Sequence, residues 1–222
     1  MTDEVLRLLQ GVALVVAALF PIVNPLGNAP AFLALTDDQS NAQRLALARK
    51  VALNGFVLLL VAIFVGDYVL AFFAVSIPVV QIAGGLVVAS LGWGRLNDSG
   101  QAPKPTTDEP SEAKAFYPLT LPMTVGPGAI SVAITIGANF PSTVQPFLMD
   151  ATSAVIGAFI VCTMTWIAFS FAERVTRKLG PGGLAVVIRL SAFILLCIGV
   201  QIMWNGIDTL FGFTKLLHPA AP

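Results

Sequence analysis

Charge in this chain is confined to short clusters, and the apolar runs between them approach the length needed to cross a bilayer. A span needs about 20 mostly apolar residues. Six segments meet or come near that requirement: 5–35, 51–66, 78–96, 116–138, 148–172 and 184–213. This restricts the fold severely, because backbone in lipid must satisfy its hydrogen bonds inside helices or a closed barrel. Only 11% of the residues are charged, with a mean hydropathy of +0.85. An ordinary soluble domain carries about 25% charged residues, so the deficit is large. The expected fold class is an all-α membrane protein with six transmembrane helices. Little length remains for a soluble domain.

The first and fourth segments share a punctuation. Phe20-Pro21-Ile22-Val23-Asn24-Pro25-Leu26-Gly27-Asn28-Ala29-Pro30 reads against Tyr117-Pro118-Leu119-Thr120-Leu121-Pro122-Met123-Thr124-Val125-Gly126-Pro127, 97 residues further on. Each stretch opens on an aromatic, and its three prolines coincide. Proline removes a backbone donor and clashes with the preceding turn, so both segments are expected to contain broken helices. Paired interruptions in two halves are the best sequence pointer to a transporter's binding site. The third and sixth segments correspond more weakly, with Gln81 to Val88 lying against Arg189 to Leu196. Three spans per half is an odd number, so the second copy must be upside down. The expected architecture is an inverted 3+3 repeat: residues 1–96, a polar proline-bearing cytoplasmic linker at 97–115, and residues 116–222.

Basic residues set the orientation. Arg44, Arg49, Lys50, Arg95, Lys104, Lys114, Arg174, Arg177 and Lys178 follow segments one, three and five, whereas Arg7 and Lys215 lie on the other side. Those three loops are expected in the cytoplasm and both termini outside. The start, Met1-Thr2-Asp3-Glu4, is acidic where a cleavable signal needs positive charge. The first apolar run is therefore expected to be a retained span.

Four motifs in order, Asn24 to Pro30, Ile82-Ala83-Gly84-Gly85-Leu86, Pro122 to Gly128, and Gly199-Val200-Gln201 to Asn205-Gly206-Ile207, make the chain resemble the MarC family of bacterial and archaeal inner-membrane proteins. The resemblance covers nearly the whole length. It implies six spans, an inverted repeat and kinship with small-metabolite exporters of the LysE type. Some members of that family are described as carriers of small neutral amino acids such as glycine and alanine. The family often has a basic residue where this chain has Gln81.

The residues themselves supply a chemistry for such a substrate. Half-helix N-termini and free backbone N–H groups suit a carboxylate, and unwound carbonyls suit an ammonium group or a sodium ion. Glycine allows close backbone approach. The expected substrate-binding residues are Asn24, Pro25, Gly27, Asn28, Thr120, Pro122, Thr124, Gly126, Gly128 and Ser131. The competing reading makes these prolines kinks and the glycines helix contacts. Asp67, Asp150 and Asp208 fall near outer span ends, where interfacial solvation is the expected account and acceptance of a coupling proton by one of them the alternative. Arg189 lies close enough to a span end to snorkel. Gly84-Gly85 is read as a packing surface.

An enzyme is not expected. His218, the only histidine, is in the tail, which leaves no intramembrane histidine to serve rhomboid-like or phosphatase chemistry. The aspartates sit on different segments, away from any two-aspartate arrangement. Cys162 and Cys197 occupy non-equivalent places, unlike a thiol electron carrier. No metal, cofactor or nucleic-acid partner is expected; the partners are the lipid bilayer and a small-molecule substrate, with sodium or a proton as coupling ion. The function read here is a multi-pass inner-membrane transporter of small neutral metabolites by alternating access. Export of other small molecules or drugs, a passive channel, and a membrane protein without transport activity are the alternatives.

Overall fold

The computed structural model describes residues 2–97, 115–141 and 143–212. The interior of the expected linker, with Lys104 and Lys114, and the tail, with Lys215 and His218, lie outside the described residues. The described chain is helical throughout: α1 Thr2–Val23, α2 Pro25–Leu35, α3 Asn41–Phe72, α4 Ile77–Asn97, α5 Ala115–Thr124, α6 Pro127–Ala138, α7 Val144–Ser170 and α8 Ala172–Phe211. Five helices are long and apolar enough to cross a membrane, or six if α5 and α6, bent by 69°, form one span. The apolar segments read from sequence fall on these helices.

Local chemistry explains the boundaries. Ser40 starts α3 with a capping box, its hydroxyl accepting from the Gln43 N–H while the Gln43 side chain accepts from the Ser40 N–H. α3 therefore begins ten residues before the apolar run at 51, carrying Arg44, Arg49 and Lys50 on a helical extension. It also continues through the semi-polar patch to Phe72. Gly180 interrupts α8 at φ 63°, ψ 176°, a conformation that only glycine adopts readily. Residues 172–179 thus form a short charged helix ahead of the apolar span Gly182–Phe211.

α3 shows how one span serves two environments. Val51, Gly55, Leu59, Ile63 and Gly66 are buried, whereas Leu53, Val57, Val61 and Val65 are exposed at four-residue spacing. The exposed stripe suits lipid; the buried one packs on protein. Because acyl chains are as apolar as leucine, helix association here rests on close packing and interhelical hydrogen bonds.

Contacts between helices fix their directions. α1 and α7 run parallel, Gly11 lying on Ser153 and Gly157 on Val15. α3 and α6 run parallel too, with Gly55 beside Val125 and Gly66 beside Ile134. α4 and α8 are antiparallel: Gly85 meets Gly199 and Met203, Gly92 meets Ala192 and Leu196, and Gly206 meets Pro78. A Cβ on Gly85 would stand 2.5 Å from the Met203 nitrogen and 2.6 Å from the Gly199 carbonyl oxygen, so the two backbones approach as closely as glycine permits. Gly85 thus has the packing role expected of it, and Gly84 packs on Ser131.

These directions give the bundle two ends. Residues 2, 72–77, 139–141, 143 and 212 share the terminal end. Residues 36–40, 97, 115 and 170–182 share the other, which carries Arg44, Arg49, Lys50, Arg95, Arg174, Arg177 and Lys178 and is here termed the basic end.

Candidate functional site

Both proline-rich stretches depart from regular winding, by different means. In the first, the departure is one residue, Asn24, held left-handed at φ 47°, ψ 58°. Its N–H still donates to the Phe20 carbonyl (2.9 Å) and its carbonyl still accepts from the Asn28 N–H (3.0 Å). Helical bonding therefore crosses the junction, and Glu4–Leu35 remains one apolar run of 32 residues. Asparagine tolerates the left-handed region better than most residues, and its side-chain oxygen accepts from the Gly27 N–H at 3.1 Å as the N-cap of α2. Pro25 fills the first helical position, where no donor is missed.

The second stretch is wound more loosely. Tyr117 and Leu121 are extended within α5, each preceding a cis proline, Pro118 and Pro122. Several carbonyls here find partners five residues on. Thr120 Oγ1 donates to the Ala115 carbonyl and Thr124 Oγ1 to the Leu119 carbonyl, both at 2.6 Å, and the Val125 N–H donates to the Thr120 carbonyl at 2.8 Å. The threonine hydroxyls thus pair backbone carbonyls within the loosely wound stretch. Gly126 then caps α6, with Pro127 at its first position.

Asn28 joins the two stretches. Its Nδ2 donates to the Val23 carbonyl and to the Met123 carbonyl, both at 2.8 Å. Asn28, Thr120, Thr124 and Ser131 are almost fully buried; Pro25 and Gly128 are buried, Asn24, Gly27 and Gly126 half-buried, and Pro122 exposed. Ser131 Oγ donates across to the Val80 carbonyl of α4 (3.0 Å). Two polar atoms in this group are buried without a partner, Asn24 Nδ2 and Asn28 Oδ1. Unpaired buried polar atoms are uncommon and costly, so this junction offers one donor and one acceptor to a ligand or water.

A cavity of about 590 Å³ lies beside this junction, toward the terminal end. It runs from Asp150, Asn139 and Asn205 at its mouth inward to Pro21, Ile22 and Ile198. None of the ten expected binding residues lines it. They sit just beyond its floor: Ile22 is two residues from Asn24, and Ser131 one turn below the lining residue Thr135. A Cβ on Gly128 would clash with Val88 and touch Ile22, so those side chains fill the space there. The polar lining, Gln81, Thr135, Asn139, Asp150, Ser153, Gln201 and Asn205, was not among the expected site residues. Ser131, Thr135 and Asn139 recur every fourth position, as do Gln201 and Asn205, and this helical spacing of polar residues in apolar segments was the available signal. Asp67 and Arg189 are exposed outside the cavity.

The basic end is filled instead. Phe32 of α2 stacks on Phe169 of α7, centroids 4.5 Å apart and planes at 13°, amid buried Leu47, Val51, Leu119 and Ala172. Above this plug the Arg44 guanidinium donates to Thr36 Oγ1 (3.2 Å), the Thr36 carbonyl (3.1 Å), the Gln39 carbonyl (3.3 Å) and Glu173 (3.3 Å). Among the described residues the cavity lies toward the terminal end, and aromatic and aliphatic side chains pack the basic end.

An all-helical bundle with a lipid-suited exterior and at least five helices long and apolar enough to cross a membrane is an integral membrane protein in contact with the bilayer. The chain belongs to the MarC family: the model of MarC family integral membrane proteins matches residues 9–211. It is 33% identical over 213 residues to the UPF0056 inner membrane protein MarC of Escherichia coli O1:K1 / APEC, covering 91% of this chain and 96% of that protein. The protein of the same name from Escherichia coli strain K12 shows the same identity and coverage. No solved structure matches the chain significantly.

Proposed function

We propose that this chain is an inner-membrane carrier for small, net-neutral metabolites, with amino acids such as glycine or alanine as its substrate class. The observation that carries the reading is the pairing of the two interruptions by Asn28 beside a cavity that lies toward one end of the bundle. A site between interrupted helices, reached from one side and shut from the other, is what alternating access requires. The lining is mostly apolar with a few polar side chains, of which Asp150 is the only ionisable one, which suits a small ligand without large net charge. The inner-membrane location follows the names of the relatives.

Helix directions support an inverted repeat. Exchanging the halves, with segments one, two and three replaced by four, five and six, turns the parallel pair of segments one and five (α1 and α7) into segments four and two (α5 with α6, and α3). It returns the antiparallel pair α4–α8 to itself. The first segment would then be α1 with α2, and the fourth α5 with α6, each broken at its prolines. Placing the basic end in the cytoplasm follows the positive-inside rule, puts both termini outside, and makes this conformation outward-open. Coupling to sodium or to a proton belongs to the same proposal.

A second reading has one observation in its favour. A volume of about 590 Å³ falls in the range of drug-sized ligand pockets, which favours export of larger molecules. Uptake and counterflow of labelled glycine and alanine in proteoliposomes, with sodium and proton gradients imposed separately, distinguishes the two. Substrate-dependent exchange supports the amino acid carrier; its absence with correctly folded protein removes it. Replacing Asn24 or Thr124 with bulky residues should abolish exchange without preventing insertion.

A further inference from the structure

Several donors on the walls of the cavity are used internally. Gln81 Nε2 donates to Thr135 Oγ1 (3.3 Å), Thr135 Oγ1 to the Ser131 carbonyl (2.9 Å), Asn139 Nδ2 to the Thr135 carbonyl (2.6 Å) and Gln201 Nε2 to Asn205 Oδ1 (2.8 Å). The oxygen at the other end of one of these side chains, Gln81 Oε1, is buried and has no partner. Burying an acceptor unpaired carries a desolvation cost that a bound donor recovers. The backbone adds to this bias: Pro21 and Pro25 deprive the Ala17 and Pro21 carbonyls of their helical donors, and both residues line the cavity.

Charge points the same way. Asp150 lines the cavity, and its lining includes no lysine, arginine or histidine. Arg7 lines a smaller adjoining recess of about 270 Å³ that Glu4 and Asp150 also line. A primary ammonium offers three donors and no acceptor, which complements the Asp150 carboxylate and an unpaired amide oxygen on Gln81.

We propose that this cavity is a receptor for the primary ammonium group of a small molecule, with Asp150 supplying the charge and Gln81 Oε1 an acceptor that rotation of its side chain brings to the cavity. It deepens the carrier reading, on which it rests, by assigning the substrate's ammonium end to the cavity wall rather than to the interrupted helices.

The test uses the full chain in nanodiscs, with affinity read from thermal stabilisation and the probes methylammonium, glycine and N-acetylglycine. Methylammonium and glycine are expected to bind and N-acetylglycine, which lacks the ammonium, to fail. Binding of methylammonium alone identifies simple amines as the ligand source, whereas much tighter binding of glycine identifies amino acids. Asp150→Asn, at an exposed position, should weaken binding about tenfold or more, the usual scale for a lost charge-assisted bond; Gln81→Met should weaken it with the charge intact. Unchanged affinity in both folded variants, equal binding of N-acetylglycine, or no binding of either ammonium probe overturns the proposal. Failure of the carrier reading looks different: ammonium binding persists and responds to Asp150→Asn, but proteoliposomes show no exchange.

Discussion

The Asn28 side chain of α2 donates at 2.8 Å to the Met123 carbonyl, 95 residues away in the other proline-rich stretch. The same nitrogen holds the Val23 carbonyl at 2.8 Å, so one amide closes gaps in two interrupted segments. Proline creates such gaps by removing donors, and lipid offers nothing to fill them. Asn28 thereby fixes the two segments to each other at the cavity floor.

Asn28→Leu removes both bonds and leaves two carbonyls unpaired at a buried position. Measured interhelical hydrogen bonds in membrane proteins are worth roughly 0.5–2 kcal/mol, and a loss on that scale is expected in thermal unfolding in detergent. Exchange activity should fall more than stability does. A variant as stable and active as the parent would show that the Met123 contact has no role.

Close backbone contact between α4 and α8 makes Gly85 intolerant. Gly85→Leu forces the helices apart, at a cost of at least the 1–3 kcal/mol typical of overpacking. Gly94, on the same helix, has nothing within 4 Å of an added Cβ, so Gly94→Ala should behave like the parent. Size-exclusion profiles and melting temperatures report both, and equal behaviour of the two variants contradicts the packing described.

Arg44 and Glu173 form an ion pair of unequal partners. The Arg44 side chain is 13% exposed and makes three further hydrogen bonds, whereas Glu173 is 57% exposed. Exposed ion pairs are worth little. Glu173→Ala is expected to change stability by no more than about 0.5 kcal/mol, and Arg44→Ala by about 1–3 kcal/mol through the groups left unpaired. Similar melting shifts for the two would place the stabilisation in the ion pair instead.

Orientation is checked by thiol labelling in a background without Cys162 and Cys197. Asn139→Cys at the cavity mouth should react with a membrane-impermeant maleimide in intact cells, while Asp37→Cys at the basic end should react only after permeabilisation. The reverse pattern places the termini inside.

Much of the helical framework was legible in the chain because lipid imposes a length and a polarity on each crossing. The apolar runs mark the spans, Asn24 and Gly126 mark the starts of α2 and α6, and Gly84-Gly85 marks a packing surface. Helix ends were less visible. α3 runs from Asn41 and α8 from Ala172, because helices continue into charged sequence where water can solvate it. Matching proline spacing also concealed a difference: Asn24 keeps helical bonding across its junction, whereas α5 and α6 meet at 69°.

By itself the sequence determined that this is a helical membrane protein and where its backbone loses donors, since both depend on residue type and near neighbours alone. Only the tertiary structure decided which polar groups face a common space. Gln81, Thr135, Asp150 and Gln201 come from four helices, and their convergence depends on helix directions and crossing contacts that no local pattern encodes. The same holds for Asn28, whose partner is selected by the packing of two distant segments. Burial then left Asn24 Nδ2, Asn28 Oδ1 and Gln81 Oε1 unpaired, a property of the assembled bundle.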